Sequence, residues 1–178
     1  MLLSDDEFYG DQSAKIDELF KQIEKLKSTH KILIFSQFVG MLELIKSRTE
    51  QENIGYAYLN GKTKNREEQV TKFQEDDDVR LFLISLKAGG TGLNLTKAEY
   101  VIIVDPWWNP AVENQAIARA YRIGQKNKVI AIRLITPNSI EEKIMELQER
   151  KRHLADELIQ TDSNIFKNLK KNDLLNLL

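Results

Sequence analysis

Short apolar runs, several of them β-branched, alternate along this chain with charged stretches long enough to make a helix, and that alternation constrains the fold more than any other feature. Lys31–Phe35 and Val79–Ile84 read as strands buried on both faces, the pattern of a parallel sheet whose crossovers are helices. Tyr56–Leu59, Tyr100–Val104 and Val129–Ile135 complete the set of strands. Between them the spacing predicts helices over Val39–Gln51, Thr63–Phe73 and Asn109–Tyr121, with Asn60-Gly61 as a turn and Glu75–Asp78 as a solvated acidic connection. Ahead of the first strand, Ile16, Leu19, Phe20, Ile23 and Leu26 fall at helical spacing, predicting an amphipathic helix that ends near Ser28. The expected fold class is α/β, a mainly parallel sheet flanked by helices.

After Thr136-Pro137 the pattern changes. Ser139 followed by Glu142 forms a capping box that opens a long helix carrying Ile140, Ile144, Leu147, Leu154 and Leu158 on one face. The tail, Ile165–Leu178, reads as a further helix packing back through Leu174, Leu175 and Leu178. The expected organisation is a leading helix over residues 1–30, the α/β domain over 31–136 and a C-terminal helical extension over 137–178.

Composition excludes several kinds of chemistry. With 178 residues, the chain can bury roughly 70% of its unfolded surface in one compact core. Cysteine is absent and there are two histidines, so disulfides, thiolate metal sites and cysteine nucleophiles are out and a zinc site is not expected. No apolar run approaches the ~20 residues of a membrane span, and the acidic Asp5-Asp6-Glu7 is unlike a signal peptide. The expectation is a soluble intracellular protein with no membrane partner and no metal site of its own. Lys and Arg number 26 against 27 Asp and Glu, so any attraction for nucleic acid must come from a local patch.

In a parallel α/β sheet, ligands collect beyond the carboxyl ends of the strands. Two segments there carry chemistry. Ser85–Asn94 contains Gly89, Gly90 and Gly92, which let backbone amides approach an anion closely, while Lys87 and Thr91 add donors. A glycine cluster after a strand also serves as a plain tight turn, and this one is not a dinucleotide fingerprint. The second segment places Gln115, Arg119 and Arg122 at i, i+4 and i+7, on one face of the expected helix. Asn109-Pro110 supplies its N-cap and first-turn proline, and Gly124 its stop. From Asn114 to Ile140 the charged residues are Arg119, Arg122, Lys126, Lys128 and Arg133, with no acid among them. Such a face can be merely solvated, with arginines near a helix C-terminus, but a guanidinium pair on a rigid element also suits a transferring phosphoryl group. A phosphate-binding loop is missing, because Gly61-Lys62-Thr63 has Tyr56 where that loop needs glycine. The chain can offer positive charge to a triphosphate but cannot cradle one alone.

These residues resemble the second RecA-like lobe of the Swi/Snf-type ATPases of helicase superfamily two. Lys31–Phe38 looks like motif IV; Leu59–Thr63, with Arg66 and Phe73, looks like the block after it. Ser85–Leu95 looks like motif V, Asp105–Pro110 like the family's tryptophan-containing segment, and Gln115 through Gln125 like motif VI. Ser139–Leu158 resembles the helix that braces the lobe. The chain departs from many members at Tyr121, where they carry His.

The resemblance implies that Arg119 and Arg122 reach the γ-phosphate of an ATP molecule, with Arg122 as arginine finger and Gln115, Gly90 and Gly92 meeting the nucleotide. It implies duplex-DNA backbone contacts by Ser36, Gln37, Asn60, Lys62, Lys87 and Thr91, with Trp108 supporting the DNA-facing side. ATP and its magnesium would be held mainly by a first RecA-like lobe, and the isolated chain would turn over negligible ATP. Its location would be nuclear in a eukaryote and nucleoid in a prokaryote. The alternatives are a non-catalytic nucleic-acid-binding or docking module, and an ATPase lobe acting on RNA.

Overall fold

The computed structural model describes residues 13–89, 92–122, 124, 125 and 127–168, with side chains as far as residue 154. Helix α1 (Ala14–Leu26) precedes strand β1 (Lys31–Ser36), followed by α2 (Val39–Gln51), β2 (Gly55–Leu59), α3 (Arg66–Glu75) and β3 (Val79–Ser85). The one-turn helix α4 (Leu86–Gly89), β4 (Ala98–Ile103), α5 (Pro110–Ile117), β5 (Ile130–Arg133) and α6 (Ile140–Asn168) complete the order. The five strands form one sheet in the order β2-β3-β1-β4-β5, and every pairing is parallel. The fold is the expected RecA-like α/β lobe. Among the described residues no helix is long and apolar enough to cross a membrane.

Strand alternation divides the core into two layers. Ile32 and Ile34 of β1, Leu81 and Leu83 of β3, and Ile102 of β4 pack with Leu19, Phe20 and Ile23 of α1 and with Leu42 and Ile45 of α2. Leu33, Phe35, Phe82, Ile84, Val101 and Ile103 pack on the opposite face with Phe73 of α3 and with Ala116 and Ala120. Connection handedness explains the split. Leaving β1, the chain crosses the sheet in one direction to reach β2; every later step, to β3, β4 and β5, runs the other way. Right-handed crossovers therefore put α2 on one face and α3, α4 and α5 on the other. Full burial of a side chain such as Phe82 contributes about 2–3 kcal/mol, so the two layers supply most of the driving force.

The outer edge of β2 is covered by its own following helix. Lys72 Nζ donates to the Tyr56 carbonyl and the Tyr58 amide donates to Gln69 Oε1, both at 3.0 Å. Edge groups satisfied in this way are poor templates for strand addition. At the N-terminal end of β1, Lys31 is buried and its ammonium donates to the carbonyls of Phe73 and Asp76 (both 2.6 Å) and of Val79 (3.1 Å). Those oxygens lie at and just beyond the C-terminal turn of α3, where a cation is favoured. Desolvation lowers the Lys31 pKa from its ordinary value.

Several expected boundaries move. Helix α3 starts at Arg66 rather than Thr63, because the Thr63 hydroxyl accepts the Asn60 amide and closes the preceding turn. Strand β5 is limited to Ile130–Arg133. Helix α5 ends at Ile117 instead of Tyr121; beyond it, tighter bonds from Arg119 N to Ala116 O and from Ala120 N to Ile117 O make a turn. Of the apolar face expected of the last helix, Ile140, Leu147 and Leu154 are exposed and Ile144 is half-buried, while Gln148 is buried; the side chain of Leu158 lies outside those described. In its opening, Ser139 accepts the Glu141 amide, and Glu142 reaches Asn138 N instead of the capping residue's own amide. The tail helix expected through Leu178, with Leu174 and Leu175, lies outside the described residues.

Candidate functional site

The connection leaving β1 runs to the α1–α2 face and the one leaving its neighbour β4 to the opposite face, so the ends of these two strands mark the switch point of the sheet. Asp105, two residues beyond β4, spans it. One carboxylate oxygen accepts both the Ser36 hydroxyl and the Gln37 amide, the latter at 3.0 Å. Burial raises the Asp105 pKa above its ordinary value, and the bonds from Ser36 and Gln37 oppose that rise. Ser36 is itself fully buried and its hydroxyl is engaged. It is therefore drawn inward, where its bond to Asp105 holds the loop.

The neighbouring expected residues stand along the same sheet edge. Gln37 is half-buried, with Phe38 and Val39 exposed beside it. At the end of β2, Asn60 accepts the Lys62 amide at 2.9 Å, a local turn that leaves the Lys62 side chain in solvent. Lys87 is exposed on α4, after β3. Trp108, after β4, is exposed, and Lys151 of α6 lies 5.1 Å from its ring centroid.

Two glycines shape the segment after β3. A side-chain carbon on Gly89 would stand 2.8 Å from the Phe35 ring, so only glycine lets α4 settle against the sheet. Gly92 takes φ +53, a left-handed conformation that costs glycine nothing. Gly90 and Thr91 lie outside the described residues. Beyond them, Leu93 and Leu95 are buried and bring the chain to the arginine turn. The Leu95 amide donates to the Arg119 carbonyl at 3.0 Å, and Arg122 Nη1 donates to the Leu93 carbonyl at 3.4 Å. Arg119 is half-buried, whereas Arg122 and Gln115 are exposed. The expected single helix face is replaced by a short helix bearing Gln115 and a turn bearing the arginines, stitched to the glycine segment.

Sequence reasoning missed the polar groups beneath this surface. Glu113 is fully buried and accepts the Trp107 amide (2.7 Å), Gln148 Nε2 (2.9 Å) and Arg133 Nε (2.7 Å). Arg133, counted with the basic patch, is thus paired internally. One signal was available: Glu113 shares the i, i+3, i+7 face of the buried Ala116 and Ala120. Among the described residues no group of three or more His, Cys, Asp or Glu could hold a metal ion.

A parallel sheet with an arginine turn pinned to a glycine segment at its C-terminal edge defines a RecA-like lobe. Residues 14–124 match the model of the helicase conserved C-terminal domain. Among solved structures, the C-terminal part of the Fun30 ATPase domain superposes with a TM-score of 0.74 at 39% identity, over 82% of this chain and 49% of that one. The Sulfolobus solfataricus SWI2/SNF2 ATPase C-terminal domain superposes with a TM-score of 0.64 at 38% identity, over 80% of this chain and 58% of that one. An uncharacterised ATP-dependent helicase of Schizosaccharomyces pombe is 50% identical over 149 residues, 81% of this chain and 14% of its own length. The ATP-dependent helicase rhp16 of the same organism is 41% identical over 91% of this chain, and the Arabidopsis thaliana DNA repair protein RAD5B is 42% identical over 80%. The chain belongs to the helicase conserved C-terminal domain family, as a C-terminal lobe of the Swi/Snf type. It spans 19% of the length of rhp16 and 12% of RAD5B.

Proposed function

We propose that this chain is the second lobe of a duplex-DNA-dependent ATPase, supplying Arg119 and Arg122 to an ATP molecule bound mainly by a first lobe. The observation that carries this reading is the pairing of Arg122 with Leu93 and of Arg119 with Leu95, which joins the glycine segment and the arginine turn at one strand-end surface. In this reading Arg122 exchanges its weak carbonyl contact for the γ-phosphate when the lobes close. Two delocalised guanidiniums then stabilise charge that spreads over the phosphoryl oxygens in the transition state. Magnesium, which supplies further charge neutralisation, is assigned with the nucleotide to the first lobe.

Nucleic acid would be met along the adjoining edge by Gln37, Asn60, Lys62 and Lys87, with Thr91 beside Gly92 and Trp108 on the flank. Hydrolysis would release the arginines, open the cleft and let each lobe step along one strand. The family places relatives among ATP-dependent helicases and DNA repair proteins, which favours nucleic acid as the track.

The test is ATP turnover by a two-lobe protein containing this chain, with and without duplex DNA or RNA. Stimulation by duplex DNA and a loss of about 10³-fold or more in Arg122→Ala are expected. Full activity in that variant overturns the arginine assignment. Equal or greater stimulation by RNA overturns the choice of track.

A further inference from the structure

Three segments of the chain converge on Glu113, which lies outside the surface that meets nucleotide. Its Oε1 accepts the Trp107 amide and the Gln148 side chain, and its Oε2 accepts Arg133. Gln148 Nε2 also donates to the Trp107 carbonyl at 2.5 Å. The connection after β4, the edge strand β5 and the long helix α6 are thus joined at one fully buried carboxylate. A buried charge of this kind is tolerated only while its partners stay in place.

Helix α6 gives little apolar surface to this junction. Ile140, Leu147 and Leu154 are exposed, Ile144 and Met145 are only half-buried, and Gln148 is the side chain it buries most deeply among those described. Lys15 of α1 bonds Glu141 at the start of α6 and donates to the Val104 carbonyl at 3.1 Å. Helix α6 is therefore seated through polar contacts, which can be made and broken as a unit more readily than an interdigitated apolar core.

The arginines stand on the turn that directly follows the short helix carrying Glu113. Arg119 follows Glu113 by six positions, and Ala116 and Ala120, between and beyond them, pack into the core and tie helix and turn to the sheet. Any change in how the Glu113 end of α5 sits is carried to the turn at its far end. A shift of ~1 Å in groups that must meet a transition state can cost ~10²-fold in rate.

We propose that Glu113 is a positioning residue for Arg119 and Arg122, and that through Gln148 it makes ATP turnover depend on whether α6 is seated. This rests on the reading of the two arginines given above. Undocking of α6 would remove one of the Glu113 partners and loosen α5.

The experiment compares Gln148→Met, Arg122→Ala and the unmodified two-lobe protein. Gln148→Met keeps the length of the side chain and removes the donor, whereas Glu113→Ala opens a cavity and risks unfolding. Glu113→Gln, which keeps the volume and loses the ion pair to Arg133, serves as the second variant. Expected in both is a kcat about 10-fold lower, with the KM for ATP and the Kd for DNA within about twofold, because the disturbed alignment matters in the transition state. An unchanged kcat in both variants, with Arg122→Ala inactive, overturns this inference and leaves the arginine reading standing. An active Arg122→Ala overturns the arginine reading itself. A fall in kcat that merely tracks the folded fraction in thermal melts also overturns the inference, since it would mark Glu113 as a stabilising residue alone.

Discussion

Asp105 gathers the Ser36 hydroxyl and the Gln37 amide onto one carboxylate oxygen, and so ties the end of β1 to the end of β4. Because both bonds fall on the same oxygen, an asparagine amide can accept them equally well. Burial raises the folded-state pKa, so the folded chain holds the Asp105 proton more tightly than the unfolded one. The sign follows from linkage: this contribution to stability is complete below the ordinary value of 3.8 and is lost as pH rises through the raised folded value. Asp105→Asn should therefore gain melting temperature relative to the unmodified chain as pH rises from acid, then level off. Asp105→Leu, which strands the Gln37 amide, should cost about 1–3 kcal/mol at every pH. A melting difference for Asp105→Asn that does not vary with pH would refute the assignment.

Lys31 tests the opposite end of the same strand. Its ammonium serves three carbonyls around the C-terminus of α3. Lys31→Met fills the space and abandons those acceptors, and a loss of about 2–3 kcal/mol in urea unfolding is expected. Since these groups lie at the edge remote from the arginines, turnover measured well below the melting temperature should be unaltered.

The proposed DNA edge makes a claim about salt. Lys62 and Lys87 are exposed, whereas Ser36 is fully buried. Replacing either lysine by alanine should flatten the dependence of log Kd on log salt by about 0.9 for each phosphate no longer neutralised. Ser36→Ala should leave that slope unchanged. A reduced slope in Ser36→Ala, or none in both lysine variants, would move the DNA-binding surface elsewhere.

Gly89 owes its identity to one neighbour, the Phe35 ring, which an added side-chain carbon would meet at 2.8 Å. Gly89→Ala should destabilise by about 1–3 kcal/mol through overpacking. Phe35→Leu in the same chain should recover part of that loss, giving a coupling energy in a double-mutant cycle. Strict additivity would show that the clash relaxes another way.

What the sequence determined by itself is everything periodic or contiguous. Strands β1 and β3 are continuous apolar runs because both their faces are covered, and α2 runs over the expected Val39–Gln51 because its boundaries depend on neighbouring residues. The family blocks are contiguous too, so the lobe could be read without coordinates. Tertiary structure decided which polar groups are spent internally. Glu113 sits in a stretch that reads as ordinary amphipathic helix, yet its partners come from 20 and 35 residues away. Ser36 and Asp105, 69 positions apart, meet because two parallel strands were paired in a particular register. Such contacts depend on crossover direction, register and burial acting together, and apart from the helical face Glu113 shares with Ala116 and Ala120 they leave no local mark on the residues they join.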